Sequence, residues 1–298
     1  MKKVFWTKFI VITAVATLFN ACASTTDYAQ FGKTGQSYAQ AINKLLDATK
    51  KVSIDSSSEK LLRNRATTPQ ERERYYKRTK MTDQEWLDLL SQMQVHTNLL
   101  SKYFERLQAL ATSDSPQRAQ DETEKLVGNL SMIGNKIRTK TFFQTGGVLP
   151  PIANLVVKAH VRSSLKAELQ VRQATIQAEL VTQEKVLALI KDELKRQLTD
   201  LQKNQEERLL YKPYVNNPEV PQADLFVSDR SRILTLSTTI PELDQATTVS
   251  GELKNAFSDL IDGKLNLARV NLLLSDIQSL LEVAQQLKTV NEKPPLQQ

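Results

Sequence analysis

The order of apolar and polar positions predicts helices along most of the chain. No Pro or Gly interrupts the stretch from Ile152 to Tyr211. A helix of that length would extend about 90 Å, which is longer than a compact domain is wide. Leucines recur within it at every seventh position, namely Leu180, Leu187, Leu194 and Leu201. Because Gln183 and Gln197 take alternate positions of this seam, the pattern favours packing within one chain over a self-dimer.

Shorter amphipathic segments predict further helices before residue 140. The first covers about Thr34 to Thr49, and the Ser-rich stretch 53–58 weakens its continuation. Thr68 to Glu71 has the sequence of a capping box with Pro in the first turn, which predicts a helix start. Thr82 to Glu85 repeats the box ahead of a strongly amphipathic segment. Ser115-Pro116 predicts the start of another helix.

The C-terminal third has a different pattern. Four prolines between residues 212 and 241 predict an irregular connection with one short element around Ile233 to Leu236. A last helix is expected to start between Pro241 and Gly251. Its predicted buried face consists of Leu253, Phe257, Leu260, Leu267, Leu274, Ile277, Leu281 and Ala284.

These patterns predict an all-α fold, an elongated antiparallel helical bundle with one very long, coiled-coil-like helix. The composition agrees, since glycines number 8 and aromatic residues make up 6% of the chain, without the regular Gly/Pro turn spacing of a β-sandwich. The expected organisation is a signal peptide at 1–21, a tether at 22–33, the bundle at 34–290 and a disordered tail at 291–298.

The N-terminus has the layout of a secretory signal peptide. Lys2, Lys3 and Lys8 provide a positive start, an apolar run follows from Phe9 to Phe19, and Ala21 is small. The apolar run is too short to span a bilayer as a helix, which requires about 20 residues. Removing residues 1–21 takes away three lysines and no acid, so the formal net charge falls from +7 to +4.

Cys22 follows this segment directly and is the only cysteine in the chain. A signal peptide that ends before a Cys resembles the signal of bacterial lipoproteins. The resemblance implies that the Cys22 thiol carries diacylglycerol, and Ala23 rather than Asp after it implies sorting to the outer membrane, facing the periplasm. The alternative is ordinary cleavage near Ala21 or Ala23. A single Cys also excludes disulfides and cysteine-based metal sites within one chain.

No catalytic pattern accompanies the two histidines. His96 and His160 lie outside any HExxH or His-x-His sequence, and the chain has no Gly-x-Ser-x-Gly and no phosphate-binding Gly loop. Both histidines are therefore expected to be packing or surface residues. We expect no enzyme activity, no metal and no cofactor.

Residues 59–80 form a basic stretch with interleaved tyrosines. Only three acids accompany the eight cations. Outside the cytoplasm, such a stretch fits anionic lipid, a cell-wall polymer or an acidic protein surface better than nucleic acid. The alternative is a solvated helix surface with internal ion pairs. The cations are Lys60, Arg63, Arg65, Arg72, Arg74, Lys77, Arg78 and Lys80.

Residues 141–157 contain no charge and lie between two helical segments. Helical toxins are similar in layout, since they insert an apolar segment that lies between long helices. The alternative is a buried turn at one tip of the bundle. Candidate membrane or partner contacts are Phe142, Phe143, Val148, Leu149 and Ile152.

The sequence as a whole predicts a lipid-anchored envelope protein that acts as a non-catalytic interaction, scaffold or accessory module. Its expected partners are the membrane, through the lipidated N-terminus, and an envelope protein, anionic lipid or cell-wall polymer. The alternative function is a membrane-active helical protein that inserts residues 141–157.

Overall fold

The computed structural model describes residues 25–64, 68–112, 117–140, 165–217 and 222–290. Within these ranges the chain is almost entirely helical and forms no β-strand. The helices are α1 (Thr25–Arg63), α2 (Pro69–Thr112), α3 (Gln117–Arg138), α4 (Leu165–Gln205), α5 (Lys212–Asn216), α6 (Ala223–Ile261) and α7 (Leu267–Val290). A π-helical turn, Glu206–Tyr211, joins α4 to α5. The predicted all-α bundle is confirmed.

Helix α1 is the central element of the bundle, since it packs against α2, α4, α6 and α7. It runs antiparallel to α2, because Asn43 donates a hydrogen bond to Asn98 and Trp86 donates one to Ser53. Helix α3 packs on α2 and α4, on the side of the bundle opposite to α6 and α7. Two groups of helices thus share α1 and α4.

The bundle has two ends. At the proximal end, α1 begins and α2 ends, as the 2.7 Å hydrogen bond from Gln36 to Gln108 shows. At the distal end, α1 ends at Arg63, α2 begins at Pro69 and α6 begins at Ala223. The 39 residues of α1 span about 58 Å between them.

The leucine heptad of α4 is buried as its spacing predicted, and the chain continues helically from Leu165 to Asn216. The two glutamines of the seam are buried too, and both find partners inside the chain. Gln183 donates to Thr97 at 2.7 Å, and Gln197 accepts from Ser53 at 2.6 Å. These contacts pair Nε2 of Gln183 and Oε1 of Gln197 within the chain, whereas Oε1 of Gln183 has no hydrogen-bond partner among the described residues.

Helix α1 is much longer than the predicted Thr34 to Thr49. Residues 25–33, expected to be part of a tether, form its first turns because Tyr28 and Phe31 are buried in the core. The Ser-rich stretch 53–58 does not break it either. The hydroxyl of Ser53 accepts from the Trp86 indole at 2.9 Å, and its one proton lies between the Gln197 amide oxygen and the carbonyl of Thr49, 2.8 Å away, so the side chain is satisfied.

Helix α2 begins with the predicted capping box. The backbone N–H of Glu71 donates to the Thr68 hydroxyl, and the N–H of Thr68 donates to the Glu71 carboxylate, each at 3.3 Å. The second box, at Thr82 to Glu85, starts no helix, because it lies inside the continuous α2.

The C-terminal third departs most from expectation. The stretch 223–241, predicted to be mainly irregular, belongs to α6, and Pro241 lies inside that helix. Pro241 cannot donate to the carbonyl of Ser237, but both residues are exposed, so water can bind this carbonyl. Only Ala223 to Ile261 forms α6, and a separate helix α7 follows.

The turn between α6 and α7 is a Schellman motif. Gly263 adopts a positive φ of 68°, and the N–H of Lys264 donates to the carbonyl of Asp259 at 2.7 Å. Asn266 then caps α7 by accepting from the N–H of Arg269 at 2.9 Å. The single last helix of the prediction is therefore wrong, and Leu267 of its predicted buried face is exposed.

Candidate functional site

Several predicted site residues lie outside the described residues. These are Cys22, Arg65, His160 and the apolar candidates Phe142, Phe143, Val148, Leu149 and Ile152. The described chain nevertheless begins three residues after Cys22, at Thr25 of the proximal end. Any anchor at Cys22 is therefore attached next to the proximal end of the bundle.

Three cations of the basic stretch form ion pairs within the chain. Lys60 contacts Asp200 at 3.0 Å, Arg63 contacts Glu207 at 2.6 Å, and Lys77 contacts Glu73 at 2.7 Å. The first two pairs join α1 to α4 and its π-helical turn. The alternative interpretation, internal ion pairing, therefore holds for these three side chains.

The other four described cations lie on α2 and are exposed, namely Arg72, Arg74, Arg78 and Lys80. Among the described residues, none of them has an acidic partner within 4.0 Å. Residues 72–80, called the cationic stretch below, extend along the start of α2 at the distal end. Here α2 packs only loosely, since Tyr75, Thr79 and Asp83 are half-buried and its first fully buried residue is Trp86.

The cationic stretch presents its charges in two rows. Arg72, Tyr76 and Lys80 are spaced four residues apart, so they form a row about 12 Å long on one face of the helix. Tyr76 is 55% exposed between the two cations. Arg74 and Arg78 form a second row, about 200° around the helix from the first.

Exposed apolar side chains also lie at the distal end. Tyr214 of α5 stacks on Phe226 of α6 with 6.4 Å between ring centroids, and Tyr214 remains largely exposed. The other members of this set are Met81, Tyr211, Val215, Leu225 and Val227. Sequence reasoning did not predict this surface, because most of these residues lie within the proline-rich stretch 212–241 that was expected to be irregular.

The π-helical turn places Arg208 against a buried carboxylate of α1 at the distal end. Arg208 donates to Glu59 through its Nε at 3.0 Å, and Glu59 is buried. The hydrogen bond that Arg208 donates to Glu59 raises the pKa of Arg208. Pro213 follows two residues after the turn and cannot donate a helical hydrogen bond, which explains why the regular α-helical pattern widens here.

A second charged group, called the buried charge cluster below, lies inside the bundle between α2, α3 and α4. Glu179 Oε2 contacts His96 Nε2 at 3.0 Å and Arg138 Nη2 at 2.7 Å, and His96 and Glu179 are fully buried. Ser131 also donates to Glu179, at 3.2 Å. A Cβ on Gly134 would lie 2.0 Å from Glu179 Oε2, so only glycine leaves room for this carboxylate.

The electrostatics of the cluster favour an ionised Glu179. Burial opposes ionisation, but the hydrogen bond and charge of His96, together with Arg138, outweigh it and hold the pKa of Glu179 below its usual range. Since a carboxylate only accepts, Nε2 of His96 donates. Its Nδ1 has no partner among the described residues. The cluster is closed to solvent and joins three helices.

Sequence reasoning expected His96 to be a packing or surface residue, and it missed both its partner Glu179 and the contact of Arg138 with Glu179. The available signal was Gly134, a rare glycine within an amphipathic helix. Within the described ranges, no set of three or more His, Cys, Asp or Glu side chains is placed to bind a metal ion. The described helices also include none that is long and apolar enough to span a membrane.

No protein-family model, curated protein or solved structure matches the chain. What the fold defines is therefore a class, an all-α helical bundle with a charged distal end. Its function has to be inferred from its own residues.

Proposed function

We propose that this protein is a lipid-anchored, non-catalytic scaffold of the bacterial cell envelope. Acylated Cys22 would hold it at the outer membrane, with the bundle facing the periplasm. Its distal end would then contact an envelope partner.

One observation carries this proposal. Thr25, the first described residue after Cys22, and the exposed cationic and aromatic surface lie at opposite ends of α1, about 58 Å apart. Helix α1 is unbroken between them and lies in the centre of the core. A bundle of this kind separates a membrane anchor from a binding surface by a fixed distance, which is what a scaffold needs.

The anchor can be tested by fatty-acid labelling. Cells expressing the full chain are fed an alkyne-tagged fatty acid, and the purified protein is examined for the tag. We expect label on the wild-type chain and on the matched control Ser24→Ala, and none on Cys22→Ser. Label that persists on Cys22→Ser, or is absent from the wild type, would refute the anchor.

The scaffold role needs a second experiment. The full chain is captured from detergent-solubilised envelopes after mild cross-linking, with Cys22→Ser as the control. A defined partner recovered only with the lipidated chain is the expected result. Dye release from anionic liposomes that Val148→Asp abolishes would favour the membrane-active alternative instead.

A further inference from the structure

Four cations of the cationic stretch, Arg72, Arg74, Arg78 and Lys80, form no ion pair within the described part of the fold. Lys60, Arg63 and Lys77 are held in ion pairs, whereas Arg72 and Lys80 extend into solvent without an acidic partner among the described residues. Exposed cations on one short helical segment repel each other unless an anion binds. The surface is therefore complementary to a polyanion.

The geometry of the two rows argues against a flat lipid surface. The rows lie on the flanks of α2, about 200° apart around its axis, so a plane can contact only one of them at a time. A membrane approached end-on would first meet Glu71, an exposed acid at the start of the helix. The membrane of the proposed anchor is at the opposite end of the bundle.

The shape of the segment also argues against a folded acidic protein. Stable protein interfaces bury about 800 Å² on each partner over a closely fitting surface. Residues 69–85 form a ridge one helix wide, in which Tyr75, Thr79 and Asp83 are half-buried and the other side chains are exposed. A linear, flexible polyanion can follow such a ridge and reach both rows.

We propose that the cationic stretch binds an anionic polysaccharide of the envelope. Acidic groups of the polymer contact Arg72 and Lys80, about 12 Å apart, and the apolar face of a sugar ring packs on Tyr76 between them. Arg74 and Arg78 contact the same polysaccharide where it passes around the helix. This inference rests on the proposed function and names the class of partner.

The test compares two double variants of equal charge. Arg72→Gln with Lys80→Gln, called the row variant below, removes both cations of the first row. Lys125→Gln with Lys185→Gln removes two exposed lysines of α3 and α4 and is the matched control. The full chains, purified in detergent, are tested for binding to dextran sulfate, uncharged dextran, poly-glutamate and vesicles of phosphatidylglycerol.

We expect dextran sulfate to bind the wild type and the control, and the row variant to bind about 30-fold more weakly, since each surface cation contributes about fivefold. Binding should weaken with added salt, and uncharged dextran should not bind. Tyr76→Ala should weaken dextran sulfate binding while leaving poly-glutamate binding unchanged. Circular dichroism checks that each variant is folded.

Three results would overturn the inference. If the row variant and the control lost the same affinity for dextran sulfate, net charge alone would explain the binding. Row-dependent binding that is tighter for poly-glutamate would assign the surface to an acidic protein, and tighter binding to vesicles would assign it to lipid. None of these depends on acylation of Cys22, so failure here and failure of the anchor are distinguishable.

Discussion

Replacing Gly134 with alanine would introduce a methyl group where the buried charge cluster leaves no room. The added Cβ would lie 2.0 Å from Oε2 and 2.8 Å from Cδ of Glu179, and 3.0 Å from Nη2 of Arg138. Real Cβ atoms do not approach other atoms so closely, so the carboxylate must move. The movement would separate the carboxylate from His96, which donates a hydrogen bond to it, and from the cationic Arg138.

The magnitude follows from two opposing effects. Alanine is favoured over glycine by about 1 kcal/mol in a helix interior. Breaking a buried ion pair costs about 3–5 kcal/mol, because it leaves a charge without compensation. We therefore expect Gly134→Ala to lower the free energy of unfolding by about 2–4 kcal/mol.

Gly128 provides the matched control. It lies on the same helix, and a Cβ there would have no atom within 4 Å. Gly128→Ala should raise the free energy of unfolding by up to about 1 kcal/mol. Urea denaturation followed by circular dichroism measures both variants.

A double-mutant cycle tests the mechanism directly. If the clash with the Glu179 carboxylate causes the loss, Gly134→Ala should cost much less in a Glu179→Ala background than in the wild type. Equal effects of Gly134→Ala in the two backgrounds, or equal gains at Gly128 and Gly134, would refute the reasoning.

Three further predictions concern ionisable groups. Because the folded pKa of Glu179 is lowered, its contribution to stability is present above pH 4.5 and is lost as pH falls below it. Urea midpoints of Glu179→Gln should thus fall less steeply below pH 4.5 than those of the wild type. Burial and the nearby Asp276 raise the pKa of Glu252, which costs stability as pH rises above 4.5. Asp276→Asn should therefore raise the free energy of unfolding slightly at pH 7, by less than about 1 kcal/mol for this half-buried pair, but not at pH 4, as measured by urea titration. Arg208→Gln leaves Glu59 buried and should lower the free energy of unfolding by about 1.5–3 kcal/mol, whereas the exposed Arg196→Gln should change it by less than about 1 kcal/mol in the same urea titration.

The parts of the fold that local sequence determines were predictable. The capping box at Thr68 and Glu71 needs only four residues, and it forms as expected. The heptad leucines of α4 depend on helical periodicity alone. The polar seam residue Gln183 indicated packing within the chain, although its partner Thr97 could not be named from the sequence.

The failures share a physical cause, which is that tertiary contacts override local preference. Residues 25–33 have little helical signal of their own, but burial of Tyr28 and Phe31 makes them helical. Pro241 is normally a helix breaker, yet its exposed position lets α6 continue. The buried charge cluster joins residues from three helices, and no local pattern relates Glu179 to His96, which is 83 positions away.

The start of α1 at Thr25, close to Cys22 in sequence, would have a mechanical consequence for a chain anchored at Cys22. Only two residues, Ala23 and Ser24, separate Cys22 from Thr25, so the connection can extend no more than about 10 Å. With so short a connection, the length of α1 would set the greatest height above the membrane that the distal end can reach. Lateral diffusion would carry the distal end through a layer of this thickness, and a binding site above the layer would not be reached however abundant it is. The length of α1 would thus exclude partners that lie farther from the membrane.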